Sequence, residues 1–176
     1  MLALALAALF AVPTLRAQLV ADGATNTLSN VTNSFTSDVI VGTNGSFTLL
    51  VLSNNAFLTN SGSGVIGLNA TAKSNEVHLL SSTARWLMGG NLFVGSNGAF
   101  NRLTISNGAT VRDGGSFMGF ATASASNNLA VVTGSNSFWD PGVLYIGLNG
   151  AGNQVVVSNG GAVSSSQTIA GVEECR

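Results

Sequence analysis

The chain has 176 residues, of which only 7% are charged, and its formal net charge is −1. It is long enough for one domain with a hydrophobic interior, and it lacks the basic patch of a nucleic-acid-binding protein. Its one cysteine, Cys175, rules out an intrachain disulfide.

The polar residues are mostly Asn, Ser and Thr, and 22 glycines interrupt the apolar segments. Asn, Ser and Gly favour turns, whereas the Val, Ile, Leu and Phe between them favour strands. The composition therefore predicts an all-β protein.

The chain opens on an apolar run from Leu2 to Val12, which is too short to span a bilayer. Pro13 and the small residue Ala17 follow it, as in a secretory signal. We therefore predict a signal peptide over residues 1–17. No Lys or Arg precedes the run, so the signal is atypical or the true start lies upstream; a buried N-terminal helix is the alternative.

A repeat of about 26 residues follows, marked by six short apolar runs that each end in a glycine. These glycines are Gly42, Gly67, Gly95, Gly119, Gly147 and Gly171, at intervals of 25, 28, 24, 28 and 24 residues. Neighbouring intervals sum to 52 or 53, so two forms of the repeat alternate. Accordingly, LFVGSNGAFNRLTISNGA at 92–109 returns as LYIGLNGAGNQVVVSNGG at 144–161.

After five of these glycines comes a segment in which a polar residue is followed by apolar residues two and four places later. Because side chains alternate between the faces of a strand, the apolar residues form two inward columns. The first column is Leu50, Val77, Leu103, Leu129 and Val155, and the second is Leu52, Leu79, Ile105, Val131 and Val157. The outward column is Leu49, Glu76, Arg102, Asn128 and Gln154.

A unit that returns to the same strand type every 24–28 residues suits one coil of a parallel β-helix, in which like residues stack and Asn can form ladders. We predict an all-β, right-handed parallel β-helix of about five to six coils. Residues 18–37 would form an N-terminal partial coil or cap, residues 38–172 the repeats, and residues 173–176 a truncated or capping C-terminus. A propeller is the alternative, but it normally needs at least about four blades.

The titratable residues give no strong catalytic signature. His78, the only histidine, is predicted to face solvent on the same side as Glu76, either as a base oriented by that carboxylate, as a metal half-site or as plain surface. The carboxylates are too scattered for an acid–base pair. They are Asp22, Asp38, Glu76, Asp113, Asp140, Glu173 and Glu174. We therefore predict no catalytic residue, no metal and no cofactor.

Aromatic residues are the better candidates for binding. Trp86 and Trp139 lie 53 residues apart in matching positions of the long coils, where extra residues usually form loops, so we predict that they are exposed. A second column, two residues before the glycines, contains Ile40, Val65, Phe93, Phe117, Tyr145 and Ile169. We expect this column to be core; if it points outward, Tyr145 and its neighbours form an apolar stripe that can bind a glycan or another chain.

The segment VGSNGAFNRLTISNGATV and its copies resemble the Asn- and Gly-rich repeats of bacterial autotransporter passengers and related secreted repeat proteins. The resemblance covers roughly residues 38–172. It implies a secreted or surface-displayed β-helix associated with adhesion or scaffolding. No C-terminal membrane barrel follows in this sequence, so the resemblance leaves the anchoring route open.

These observations predict a structural or adhesive extracellular protein of a bacterium, a fragment of a larger surface protein without catalytic activity. Its expected partners are glycans or cell-surface components. A carbohydrate-active β-helix protein, either glycan-binding or polysaccharide-cleaving, is the main alternative, and a non-functional gene fragment is a third.

Overall fold

The computed structural model describes residues 19–171. The predicted signal peptide, Gln18 and the five C-terminal residues, which include Glu173, Glu174 and Cys175, lie outside this range. Within it, the chain forms only strands, turns and bends, and no helix among these residues is long and apolar enough to cross a membrane.

Eighteen strands follow one another in groups of three. The first three groups are β1 Thr25–Ser29, β2 Thr32–Phe35, β3 Val39–Val41; β4 Leu49–Ser53, β5 Phe57–Asn60, β6 Gly64–Ile66; and β7 Glu76–Leu79, β8 Arg85–Met88, β9 Leu92–Val94. The next three are β10 Arg102–Ser106, β11 Thr110–Asp113, β12 Ser116–Met118; β13 Leu129–Thr133, β14 Phe138–Pro141, β15 Leu144–Ile146; and β16 Gln154–Ser158, β17 Ala162–Val163, β18 Thr168–Ala170.

These strands build three six-stranded sheets, each of which takes one strand from every group. Sheet one has the order β1-β4-β7-β10-β13-β16, sheet two β2-β5-β8-β11-β14-β17 and sheet three β3-β6-β9-β12-β15-β18. Every strand pair is parallel. The chain is therefore a parallel β-solenoid of six coils, as predicted, and the antiparallel blades of a propeller are excluded; its hand stays a prediction.

The first coil starts earlier than the sequence suggested. Strands β1 and β2 lie within residues 18–37, which we expected to form a partial coil or cap, and β3 completes the coil. The inward residue of β1 that stacks under Leu50 is Asn26, and its Nδ2 donates to the carbonyl oxygen of Leu19 at 3.0 Å. A polar residue therefore replaces the core leucine in this coil.

The core lies inside the coils and follows the predicted alternation in sheet one. Leu50, Val77 and Leu103 are completely buried and stack in register through β4, β7 and β10. The residues between them point outward and stay partly exposed, as His78 and Thr104 do. Burying each such aliphatic side chain contributes about 1.5–3 kcal/mol, so this column is a large part of the stability.

In β13 the predicted register is wrong by one residue. Leu103 pairs with Ala130, not with Leu129, so Ala130 and Val132 are buried while Leu129 and Val131 point outward. Asn128, predicted to be outward, is completely buried. The physical reason is that the preceding residue, Asn127, takes a left-handed backbone with φ 56° and turns the corner there.

A ladder of asparagine side chains runs through the interior at the entrance to sheet one. The backbone N–H and the Nδ2 of Asn75 both donate to Asn101 Oδ1, at 3.0 and 3.1 Å. In the next coil, the backbone N–H and the Nδ2 of Asn101 donate to Asn128 Oδ1 at 2.8 and 3.1 Å. The same two groups of Asn128 donate to Asn153 Oδ1, both at 2.9 Å. At the first rung, Thr48 N donates to Asn75 Oδ1 at 2.9 Å. Buried amides stay hydrogen-bonded because every coil supplies the partner of the next.

The glycines that mark the repeat make room for this ladder. Gly95 has φ +74°, and a Cβ atom there would lie 2.1 Å from Asn128 Nδ2. Gly67 has φ +76°, and a Cβ atom there would lie 2.2 Å from Asn101 Nδ2. Only glycine combines positive φ with this close approach, so the glycine column and the asparagine ladder form one structural unit.

The residues of the two inward columns are more exposed in the sixth coil than in the coils before it. Val155 is partly buried against the core, but Val157, predicted to be inward, is 48% exposed. Among the described residues, only the fifth coil packs against it, through β13. The prediction of a buried Val157 is therefore wrong for the described part of the chain, although its place in the column is correct.

Candidate interaction surface

The structure places Trp86 and Trp139 in the core, so the prediction that they are exposed is wrong. Both side chains are completely buried. They occupy the inward column of sheet two, where Val111 of the coil between them pairs with both. The long coils place their extra residues elsewhere, and neither indole is available for a ligand.

Each tryptophan is held by a polar side chain from the preceding coil. Trp86 Nε1 donates to Asn60 Oδ1 at 2.9 Å, and Trp139 Nε1 donates to Asp113 Oδ2 at 3.1 Å. The two acceptors are 53 residues apart in the sequence, as the two tryptophans are. The long repeat therefore conserves the pair of indole and acceptor from one copy to the next within this chain.

Asp113, one of the scattered carboxylates of the sequence, is a buried carboxyl. Burial is the largest influence and raises the pKa of Asp113 to about 6, although bonds from Ser116 and Trp139 partly offset it. Ser116 Oγ donates to Asp113 Oδ1 at 2.8 Å. Sequence reasoning missed this group because its burial depends on the Trp139 one coil away.

We expect Asp113 to make the fold less stable as the pH rises. Its pKa is 3.8 in an exposed chain and about 6 in the folded protein, so between these values the folded state holds a proton that the unfolded state has released. The stabilisation is full below 3.8 and is lost as the pH rises through about 6. It corresponds to about 3 kcal/mol, measurable as the free energy of unfolding in urea between pH 4 and 7.

Two reciprocal substitutions test this assignment. In Asp113→Asn the pH dependence should disappear, because Asn60 fills the equivalent position as an amide that donates from Nδ2 to Gly62 O at 2.8 Å. Asn60→Asp should introduce a pH dependence of the same sign. If both variants titrate like the parent, Asp113 does not control the pH dependence.

Two pairs of titratable side chains lie on the outer faces of the sheets. His78 faces outward as predicted, and its Nε2 lies 2.7 Å from Glu76 Oε2, an ion pair only when the imidazole is protonated. Arg112 Nε lies 3.1 Å from Asp140 Oδ2 on sheet two. Exposed pairs of this kind contribute about 0–1 kcal/mol to stability.

Asp22 and Asp38 organise turns. Backbone N–H groups of Thr43, Asn44 and Gly45 donate to the Asp22 carboxylate at 2.7, 2.9 and 2.9 Å. Burial alone raises the pKa of Asp22, but the three donors together hold it below its ordinary value. Asp38 Oδ1 accepts from Ser63 N at 2.8 Å. Between residues 19 and 171, no group of three His, Cys, Asp or Glu side chains is placed to hold a metal ion.

The aromatic column of sheet three points outward, contrary to our expectation that it is core. Phe93, Phe117 and Tyr145 are partly exposed, while the residues on either side of Phe93, Leu92 and Val94, are completely buried. Tyr145 therefore lies on the surface, as a binding role would require. At the N-terminal end of the same column, Ile40 and Val65 are buried.

The rings of the aromatic column of sheet three stack on one another. Phe93 and Phe117 stack with centroids 5.4 Å apart, and Phe117 and Tyr145 stack at 5.2 Å with their planes 6° apart. Phe120 packs edge-on against Phe93 at 4.9 Å. Phe117 therefore lies between two stacked rings, whereas Phe93 and Tyr145 each stack on one neighbouring ring, and these contacts stabilise the column.

Between residues 19 and 171, the two most exposed large apolar residues are phenylalanines that sequence reasoning missed. Phe47 is 74% exposed and Phe100 is 56% exposed. Each lies at the corner directly before sheet one, where β4 and β10 begin. Among the described residues, neither ring contacts another aromatic ring. We call this pair the corner phenylalanines.

Both corner phenylalanines have a left-handed backbone, with φ 61° at Phe47 and 59° at Phe100. The same corner in the other coils is taken by Gly23, Ser74, Asn127 and Gly152, all with positive φ. Gly, and to a lesser degree Asn, accept this conformation easily, whereas a bulky residue there is an outlier. The long period contained the signal, since GTNGSFT at 42–48 returns as GSNGAFN at 95–101.

Comparisons of the chain with models of protein families, with curated proteins and with solved structures return no match.

Proposed function

We propose that the chain is a structural or adhesive repeat protein of the bacterial cell exterior, part of a larger surface protein and without catalytic activity. In this proposal it is a stiff spacer that presents its corners and outer faces to a partner. The resemblance of its repeats to autotransporter passengers and the apolar run at the start of the chain both support this placement.

The observation that carries the proposal is the continuous stacking of six coils in register. At about 4.8 Å per layer, the first and sixth strands of a sheet are about 24 Å apart. The asparagine ladder links four consecutive coils by paired hydrogen bonds. Such stacking favours a rod with a fixed surface pattern over a structure that closes around a substrate.

The polysaccharide-cleaving alternative needs two carboxyl groups on one face, close enough to act as acid and base. Asp113 points into the core, whereas Asp140 lies on the outer face with Arg112. Glu76 is paired with His78 on a different sheet. No observation on the described residues favours cleavage, so we do not propose it.

Export and display provide the test. When the full chain carries a C-terminal epitope tag in a Gram-negative host, we expect it outside the cytoplasm, and cells that display it should adhere to envelope material. The matched control is Leu6→Arg, which places a charge in the apolar run and should keep the protein inside. If both forms stay in the cytoplasm in equal amounts, the extracellular placement is wrong.

A further inference from the structure

We propose that the corner phenylalanines bind an extended, β-linked polysaccharide by stacking their rings on its sugar rings. This inference rests on the proposed function and names the class of its partner. It begins from the strained backbone at Phe47 and Phe100, because strain in a position that smaller residues fill elsewhere in the same chain points to a functional requirement.

The chain itself shows that phenylalanine is not needed for this corner to fold. Phe47 N donates to Lys73 O at 3.1 Å, and Ser74 N donates in the same way to Ala99 O at 3.1 Å. The backbone bond that holds the left-handed turn is thus independent of the side chain. An exposed phenylalanine adds little packing in exchange for its unfavourable φ.

The spacing of the two rings suits an extended chain of sugars. Register places Phe47, Ser74 and Phe100 in three consecutive coils, two residues before Leu49, Glu76 and Arg102. Two layers correspond to about 10 Å along the axis. The side chain between them, Ser74, is small and lines a surface cavity together with Phe47. This separation is comparable with the disaccharide repeat of an extended β-1,4-linked glycan.

The surroundings of the rings favour a sugar over a protein partner. A pyranose ring has an apolar C–H face and a rim of hydroxyl groups, so it combines an aromatic contact with polar ones. The corner supplies such polar groups: Asn69 and Thr71 are exposed, and Asn69 Nδ2 donates to Asn44 Oδ1 at 2.7 Å. Protein hot spots instead lie at the centre of well-packed, water-excluding contacts, whereas these rings stand apart with a serine between them.

The test uses the purified full chain, insoluble cellulose and chitin, and soluble β-1,4-linked oligosaccharides of increasing length, with alginate as an acidic polysaccharide. We expect affinity to rise steeply once an oligosaccharide is long enough to span both rings. Phe47→Asn and Phe100→Asn should each weaken binding about tenfold, which corresponds to one stacking contact, and the double variant should abolish it. Binding to the neutral or to the acidic polymer supports sugar stacking.

A second readout separates binding from a structural role. Since Asn127 occupies the same corner with φ 56°, the Phe→Asn variants should fold and melt at a temperature equal to or above that of the parent. Leu80→Asn, an exposed apolar residue away from the corner at 38% exposure, is the control and should bind like the parent.

Three results would overturn the inference: no binding to any β-linked glycan, parental binding by the double variant, or adhesion to cells that protease treatment of those cells removes. The last result would assign the corner to a protein partner. Export and display are measured independently by comparison with Leu6→Arg, so the proposed function can stand when the polysaccharide inference fails.

Discussion

Leu103→Asp should prevent soluble folding. Leu103 is completely buried, and its neighbours in register, Val77 and Ala130, are apolar and also buried. A carboxylate at this position would have no partner, and losses of more than about 4–5 kcal/mol are typical of such a buried, unpaired charge. Since whole domains are stable by about 5–15 kcal/mol, we expect the variant in the insoluble fraction or unfolded by circular dichroism.

The matched control is Thr104→Asp, one residue along the same strand. Thr104 points outward, and its hydroxyl accepts from Arg102 Nε at 3.2 Å, a bond that a carboxylate can keep. Its free energy of unfolding should stay within about 0.5 kcal/mol of the parent value. Equal solubility and melting of Leu103→Asp and the parent would refute the inward assignment of the column.

Gly95→Ala should lower the free energy of unfolding strongly, although less than Leu103→Asp. An alanine must adopt φ +74° and place its Cβ 2.1 Å from Asn128 Nδ2. The left-handed backbone costs about 1–2 kcal/mol, and each ladder donor displaced from its acceptor costs about 1–3 kcal/mol more. We expect a loss of about 3–5 kcal/mol in urea unfolding, followed by the fluorescence of the buried Trp86 and Trp139.

Gly147→Ala separates the two causes. Gly147 belongs to the same column and has φ +71°, but the nearest atom to its added Cβ is Gly150 O at 3.2 Å. This variant should lose only the backbone cost of about 1–2 kcal/mol. If it is destabilised as strongly as Gly95→Ala, then the clash with the ladder is not the reason for the glycine.

The parallel stacking was predictable because one interaction dominates it. From β4 onward, every second residue of sheet one is apolar, and the repeat brings like residues together, so Leu50, Val77 and Leu103 could be assigned to one column from the sequence. The register failed at β13, where Asn127 and Asn128 follow each other and either one fits the pattern. Which of them enters the ladder depends on Asn101 and Asn153 in the neighbouring coils, a contact that a single repeat does not contain.

The candidate site was less predictable, because exposure depends on neighbours from other coils. Trp86 and Trp139 were assigned to loops from coil length, yet Asn60 and Asp113 provide the buried acceptors that let their indoles enter the core. The strands of sheet three are only three residues long. An alternating pattern over three residues is too short to show which face is buried, so the direction of the aromatic column could not be predicted. The corner phenylalanines were visible in the repeat, but their exposure follows from the left-handed turn.

The asparagine ladder also contributes an electric dipole along the axis of the solenoid. In each rung the amide oxygen faces the preceding coil and the amide N–H groups face the following one. Amide dipoles aligned head to tail add together, as they do along an α-helix. The rungs therefore add a small dipole along the axis, with its positive end toward the sixth coil and its negative end toward the second.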